Sequence, residues 1–162
     1  MCSTSTWSGC GTKGEPVSGE CIFCDIVRGE AAASVVYRDD TVIAFMDIQS
    51  VNAGHVLVVP LEHAVSLLEL DDETAGRLMA VGKRLAAAVR ASDVRWDGFN
   101  LFLADGGEAA GQDVFHVHLH MFPRYKGDGF GLQLPPRYHI LPEREELERV
   151  AAAIRQAVGW EE

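Results

Sequence analysis

The chain is short of positive charge, of long apolar runs and of cysteine, and each shortage removes a class of function. Only 14 basic residues stand against 24 acidic ones, a formal net charge of −10 with histidine neutral. A surface of that sign repels nucleic-acid backbones and anionic lipid, so neither is expected as a partner. Any anion-binding site must then supply its own local donors. The longest apolar stretch, Val56 to Leu61, falls far below the roughly 20 residues of a spanning helix. The opening residues lack the basic-then-apolar order of a signal segment, so a soluble, cytoplasmic protein is expected. Four cysteines in 162 residues do not read as a disulfide scaffold. Cys2 and Cys10 read as incidental, whereas Cys21 and Cys24 form a Cys-x-x-Cys whose uses are metal binding, redox chemistry or none.

What is present is globular composition, 48% hydrophobic and 23% charged, at a length suited to one domain. Residues 1–20 are rich in Ser, Thr and Gly without apolar period and read as a disordered tail; residues 21–162 read as the domain, with no internal repeat and no second linker. A short helix is expected from Ile22 to Val27, ending at Arg28-Gly29. Strands are expected at Val35 to Tyr37, Val42 to Met46 and Val56 to Val59, close enough for an antiparallel meander. Ala75, Leu78, Met79, Gly82, Leu85, Ala86 and Val89 recur at three and four residues, predicting a helix from about Asp71 or Asp72 with one apolar stripe. Two further strands, Phe99 to Ala104 and Val114 to Phe122, flank a loop containing Gly106, Gly107 and Gly111. Pro142 then opens a last helix, with Leu147, Val150, Ala151, Ile154 and Val158 as its expected buried stripe. The ordering is α+β, without regular βαβ alternation.

His116-Val117-His118-Leu119-His120 alternates strictly. On a strand this sets three imidazoles on one face about 7 Å apart, with Val117, Leu119 and Met121 facing the core. Three histidines on an otherwise apolar strand give up burial three times, which plain packing does not explain. A metal site of carbonic-anhydrase or cupin type is the competing use, but the Glu that a cupin needs beyond its His pair is replaced here by Met121, Phe122 and Pro123.

Read from Gly111-Gln112-Asp113-Val114-Phe115 through the three histidines to Met121-Phe122-Pro123-Arg124, the chain resembles the histidine triad family of nucleotide hydrolases and transferases. The resemblance extends over Cys21-Ile22-Phe23-Cys24, Ala44 to Ile48, and Gly54-His55-Val56-Leu57-Val58-Val59-Pro60 with His63 just after. It implies a five-stranded, mainly antiparallel sheet with a long helix and a C-terminal helix, forming a homodimer through the long helix and a sheet edge. It also implies a reaction: cleavage of a nucleoside 5′-phosphate derivative through a nucleotidyl-histidine on His118. His120 resembles the histidine that binds phosphate oxygens or protonates the leaving group, and Gln112 the phosphate-binding glutamine. Asp47 resembles the carboxylate that accepts from the ribose hydroxyls. Ile22, Phe23, Phe45 and Ile48 resemble the slot for a purine base, although packing alone would also explain them. His55 resembles a family histidine that supports the first triad member, His116.

Two loop positions depart from the pattern. Asp105 stands where phosphoramidases carry Asn and resembles the branch that cleaves diadenosine polyphosphates; Asp113 stands where a hydroxyl is usual. A carboxylate beside phosphate repels it, so a phosphoramidate, an acyl-nucleotide and a dinucleoside polyphosphate all stay open as substrates. So does a nucleotide-binding or zinc-stabilised interaction module with little turnover. Cys21 and Cys24 have the spacing of half a zinc site, and metal-bearing relatives imply His63 and His116 as its completion, making the zinc structural. Free thiols are the alternative; a thioredoxin-type motif would need a preceding strand.

Overall fold

The computed structural model describes residues 21–158. The expected tail over residues 1–20 lies outside them. The chain divides into two compact units, one ending at Asp128 and the other beginning at Gly129.

In the first unit the expected order of elements holds: helix α1 (Ile22–Arg28), strands β1 (Val35–Arg38), β2 (Val42–Met46) and β3 (Val56–Pro60), long helix α2 (Asp72–Arg90), and strands β4 (Gly98–Leu103) and β5 (Leu119–Arg124). The sheet runs β1-β2-β3-β5-β4 with every neighbouring pair antiparallel. It is the α+β, five-stranded arrangement that the sequence implied.

Strands β2 and β3 are buried on both faces. On one face Val42, Ala44, Val56, Val58, Val117, Leu119 and Met121 pack against Leu78 and Val81 of α2. Gly82 lets α2 approach closely, since a Cβ there would lie 3.0 Å from Leu101 and 3.1 Å from Leu119. Truncating Leu78 to Ala in such a core costs about 2–5 kcal/mol. On the other face Ile43, Phe45, Leu57 and Val59 pack against Phe23 of α1. Helix α2 starts where its acidic first turn suggests, with the Asp71 carboxylate accepting from Thr74 N–H at 2.6 Å. Its stripe differs at one place: Met79 is exposed and Val81 takes the buried position, because residue 79 lies about 100° around the helix from Leu78.

The second unit holds helix α3 (Arg144–Val158), which starts two residues after Pro142. Its expected buried stripe is corrected by the structure: Leu147, Val150, Ile154 and Val158 are exposed, and Ala151 is half-buried. Periodicity identifies an apolar face of a helix but not what covers it, and among the described residues this unit contains no second α-helix or strand to do so.

Candidate functional site

The histidine run enters the sheet later than its alternation suggests. The strand was expected from Val114, but β5 begins at Leu119, so His116, Val117 and His118 precede it. The cause is local: Val117 N–H donates to the Ala64 carbonyl at 2.7 Å instead of to a strand neighbour. Val117, Leu119 and Met121 still face the α2 core. The three imidazoles divide between two places. His116 turns toward the cysteine pair, while His118 and His120, with ring centroids 4.8 Å apart, line a cavity.

Backbone groups set the tautomers. His118 Nδ1 donates to the His116 carbonyl at 2.7 Å, so the neutral ring carries its lone pair at Nε2. His116 Nε2 donates to the Pro60 carbonyl at 3.0 Å, leaving the Nδ1 lone pair free. That Nδ1 lies 3.4 Å from Cys21 Sγ, 3.6 Å from Cys24 Sγ and 3.3 Å from His63 Nδ1, and Cys24 Sγ lies 3.3 Å from His63 Nδ1. A tetrahedral zinc with bonds of about 2.0–2.3 Å requires ligand edges of about 3.3–3.8 Å. The four residues therefore fit a metal of zinc's size. Helix α1 makes this possible by placing Cys21 at its N-cap and Cys24 one turn on, and Gly29 ends it in the left-handed region at φ 76°. Burial, then the neighbouring Cys21, pushes the Cys24 thiol up to about 11, and burial drives His116 down to about 4. Neither shift favours a charge here without a cation.

A second cluster sits at the cavity. Asp47 Oδ2, His55 Nε2 and His120 Nδ1 lie within 4.8 Å of one another. His55 Nε2 is 2.9 Å from His120 Nδ1 and 3.4 Å from Asp47 Oδ2. Asp47 follows β2, and its Oδ1 accepts from Gln49 N–H at 2.8 Å. The turn then closes through Gly54 at φ 91°, where a Cβ would also strike Val94. His55 was expected beside His116. The strand register places it elsewhere: Val56 pairs with Met121 and Leu57 with His120, so His55 packs on His120 and Phe122. Burial lowers the pKa of both rings, that of His120 to about 4 with help from His118 and His55.

The cavity measures about 590 Å³ and is lined by Ile22, Phe23, Phe45, Asp47, Ile48, Asp113, His118 and His120 among others. Of the apolar four, Phe23 and Phe45 also belong to the core, whereas Ile22 and Ile48 are exposed. Phe23 packs edge-on against His118 at 5.2 Å. Two expected substrate residues lie off the described wall. Gln112 accepts from Gly106 and Gly107 N–H through Oε1 and donates to the Val65 carbonyl at 2.8 Å. Asp105 accepts from Ser66 Oγ and Leu67 N–H. Residues 32–34 and Gln49 line the cavity without having been anticipated, and small or neutral side chains before a strand carry no signal that would reveal them.

A five-stranded sheet whose His-x-His-x-His run serves both a Cys/His cluster and a cavity defines a histidine triad protein. A sequence model described as the HIT domain matches residues 28–127, and the chain belongs to the HIT family. It is 44% identical over 126 residues to an uncharacterised HIT-like protein of Borreliella burgdorferi, covering 77% of this chain and 90% of that one. It is similar to the crystal structure of a Zn-bound histidine triad family protein from Mycobacterium smegmatis, at 40% identity and TM-score 0.65 over 86% or more of each, 87% of this chain and 97% of that one. It is also 29% identical over 156 residues to the adenylylsulfatase HINT3 of Arabidopsis thaliana, covering 96% of this chain and 78% of that one.

Proposed function

We infer that the chain is an enzyme that cleaves nucleoside 5′-phosphate derivatives, a phosphoramidate, an acyl-nucleotide or a dinucleoside polyphosphate, through His118. The observation that carries this reading is the 2.7 Å bond from His118 Nδ1 to the His116 carbonyl, because it leaves an Nε2 lone pair on a ring at the cavity wall. That nitrogen attacks the α-phosphorus in line; a P–N bond forms, the bond to the leaving group breaks, and the leaving group departs with the electron pair, an amine or alcohol taking a proton as it goes. Water then displaces His118 and releases the nucleoside monophosphate. Asp47 accepts from the ribose hydroxyls, Ile22, Phe23, Phe45 and Ile48 hold a purine base, and His120 meets the phosphate. Gln112, Asp105 and the glycines around them shape the loop at the phosphate end. The activity named for the Arabidopsis relative belongs to the same chemistry.

Zinc on Cys21, Cys24, His63 and His116 is saturated and structural, and it holds α1, which carries Ile22 and Phe23, against the histidine segment. Thiolate ligands of this kind suit the reducing cytoplasm. Two chains pair through α2 and the β4 edge, where Met79, Leu101 and Phe102 are exposed. A sedimentation mass equal to a single 17.6 kDa chain at micromolar concentration would overturn that pairing.

Adenosine 5′-phosphoramidate and diadenosine polyphosphates, incubated with native protein and with His118→Ala, test the reaction. Native protein is expected to release AMP from at least one, and the variant to lose about 10³-fold or more of that rate. No His118-dependent AMP from any of them favours a nucleotide-binding module, a reading to which the exposed Asp113 carboxylate on the cavity wall lends weight.

A further inference from the structure

His55 is 2% exposed and takes no part in the reaction proposed above. Val51 N–H donates to its Nδ1 at 3.1 Å. A ring nitrogen that accepts carries no proton, so the neutral His55 ring is protonated at Nε2. That N–H has two acceptors within reach, His120 Nδ1 at 2.9 Å and Asp47 Oδ2 at 3.4 Å. The opposite arrangement, with His120 protonated at Nδ1, would set two N–H groups against each other at 2.9 Å in a site largely closed to water. His120 therefore keeps its lone pair at Nδ1 and its proton at Nε2. The two nitrogens of an imidazole point to different sides of the ring, and the His120 ring lines the cavity.

We propose that His55 is a positioning residue that locks His120 as a neutral Nε2–H donor, so that His120 stabilises phosphoryl oxygen charge by hydrogen bonding while the leaving group takes its proton from water and not from His120. The proposal rests on the reading of His118 as nucleophile and decides between the two roles open to His120. A neutral imidazole that surrendered its Nε2 proton would become an imidazolate. The relay could prevent this only by moving that anion to His55, whose Nδ1 is already an acceptor. Donation without transfer requires neither, and a preorganised neutral donor aimed at developing charge is an effective catalytic device. The low proton affinity of the half-buried His120 ring, down to about 4, accords with this neutral state at pH 7.

The same pattern removes Asp47, His55 and His120 as a metal site. Their spacing would admit an ion, but His55 could ligate through Nε2 only by losing its last ring proton or by breaking the Val51 bond.

The test has two arms on the full chain. In the first, ¹⁵N NMR of the imidazoles at pH 7 reads the His120 tautomer whether or not the protein turns over. Native protein should show Nε2–H, and His55→Phe a mixture; an Nδ1–H tautomer or an imidazolium at His120 in native protein would overturn the proposal. In the second, adenosine 5′-phosphate esters with leaving groups of graded pKa are compared. His55→Phe should lower kcat roughly tenfold or more, by the same factor for p-nitrophenol as for an alkyl alcohol, and His55→Gln, whose amide can still donate, should recover part of it. A loss that grows with leaving-group pKa would make His120 an acid and overturn the proposal. Absence of turnover with every ester, together with the expected NMR result, would count against His118 as nucleophile and leave the tautomer lock standing.

Discussion

Two clusters that draw on the same histidine run use imidazoles to opposite ends. Cys21, Cys24, His63 and His116 bring four ligand atoms together, and Asp47, His55 and His120 bring three. Distance alone does not separate them. The difference lies in where the backbone has placed the protons. At His116 the Pro60 carbonyl takes the Nε2 proton and turns a lone pair toward the cysteines, so that the space between the ligands calls for a cation. At His55 the Val51 N–H occupies the Nδ1 lone pair and turns a proton toward His120, so that the space is already filled by a hydrogen bond. One cluster is arranged to hold an ion and the other to orient an imidazole, and a single carbonyl or amide decides which.

The comparison breaks most visibly at the thiols. Protein purified without added metal or affinity tag should contain close to one zinc per chain by elemental analysis, and Cys21→Ser with Cys24→Ser should contain none. Because a closed zinc site contributes folding free energy directly, the double variant should melt lower by about 10 °C or more. Nucleotide binding should weaken with it, since Ile22 and Phe23 lie between the two cysteines. A metal-free native protein, unchanged by the substitutions, would contradict the assignment and leave the triad reading intact. Zinc uptake by stripped protein should also release at least one proton near pH 7, because burial holds the Cys24 thiol at about 11 until a metal displaces its proton.

The second cluster gives the next largest contrast. Titration with cobalt(II) should saturate at one tight ion per chain, with the absorption of thiolate ligation, and Asp47→Asn should leave the curve unchanged. A second tight ion lost in Asp47→Asn would show that the Val51 bond does not lock His55. Acid offers an independent reading. His55 and His120 bind protons less readily folded than unfolded, chiefly through burial. Above about 6.5, the ordinary histidine value, both states are neutral and these rings make no pH-dependent difference. As pH falls, the unfolded chain takes up protons first, so stability is lost progressively until His120 titrates in the folded state near 4. Urea midpoints measured over that window should therefore fall, and fall less steeply in His120→Gln than in native protein.

How much of this was legible in the sequence follows the same division between side chain and backbone. Strand β2 spans the expected residues, and β3 and the start of α2 fall within a residue or two, because apolar runs and an acidic first turn are side-chain signals. The Cys-x-x-Cys and the alternating histidines mark the chemistry for the same reason. The Pro60 and His116 carbonyls and the Val51 amide are invisible in a sequence, since every residue carries a carbonyl and nearly every one an amide. Yet they fix which nitrogen of each imidazole is free. The pairing of His55 was equally hidden: resemblance to a family histidine suggested His116 as its neighbour, and antiparallel register with β5 supplied another. The exposed stripe on α3 marks a third limit, because a period of 3.6 reports a face and nothing of its partner.

The smallest expected effect lies at Asp113, where solvent weakens the lesson of the two clusters. Asp113 lines the cavity with His118 and His120, but it is exposed, and its charge acts on the His120 ring more weakly than burial or the neighbouring histidines do. Between an exposed carboxylate and a phosphate a few ångströms away, repulsion through water is about 1 kcal/mol, and physiological salt screens it over about 8 Å. Asp113→Ser should therefore tighten binding of a nucleoside monophosphate by about fivefold at low salt, the affinity equivalent of that repulsion. The gain should shrink as salt is raised, which calorimetry at two ionic strengths would register. The effect of His55→Phe, which acts through a hydrogen bond between largely buried rings, should not change with salt. Equal salt dependence in the two variants would mean that the His55–His120 pair is open to solvent, and the contrast between an oriented buried proton and a screened surface charge would fail at its weaker end.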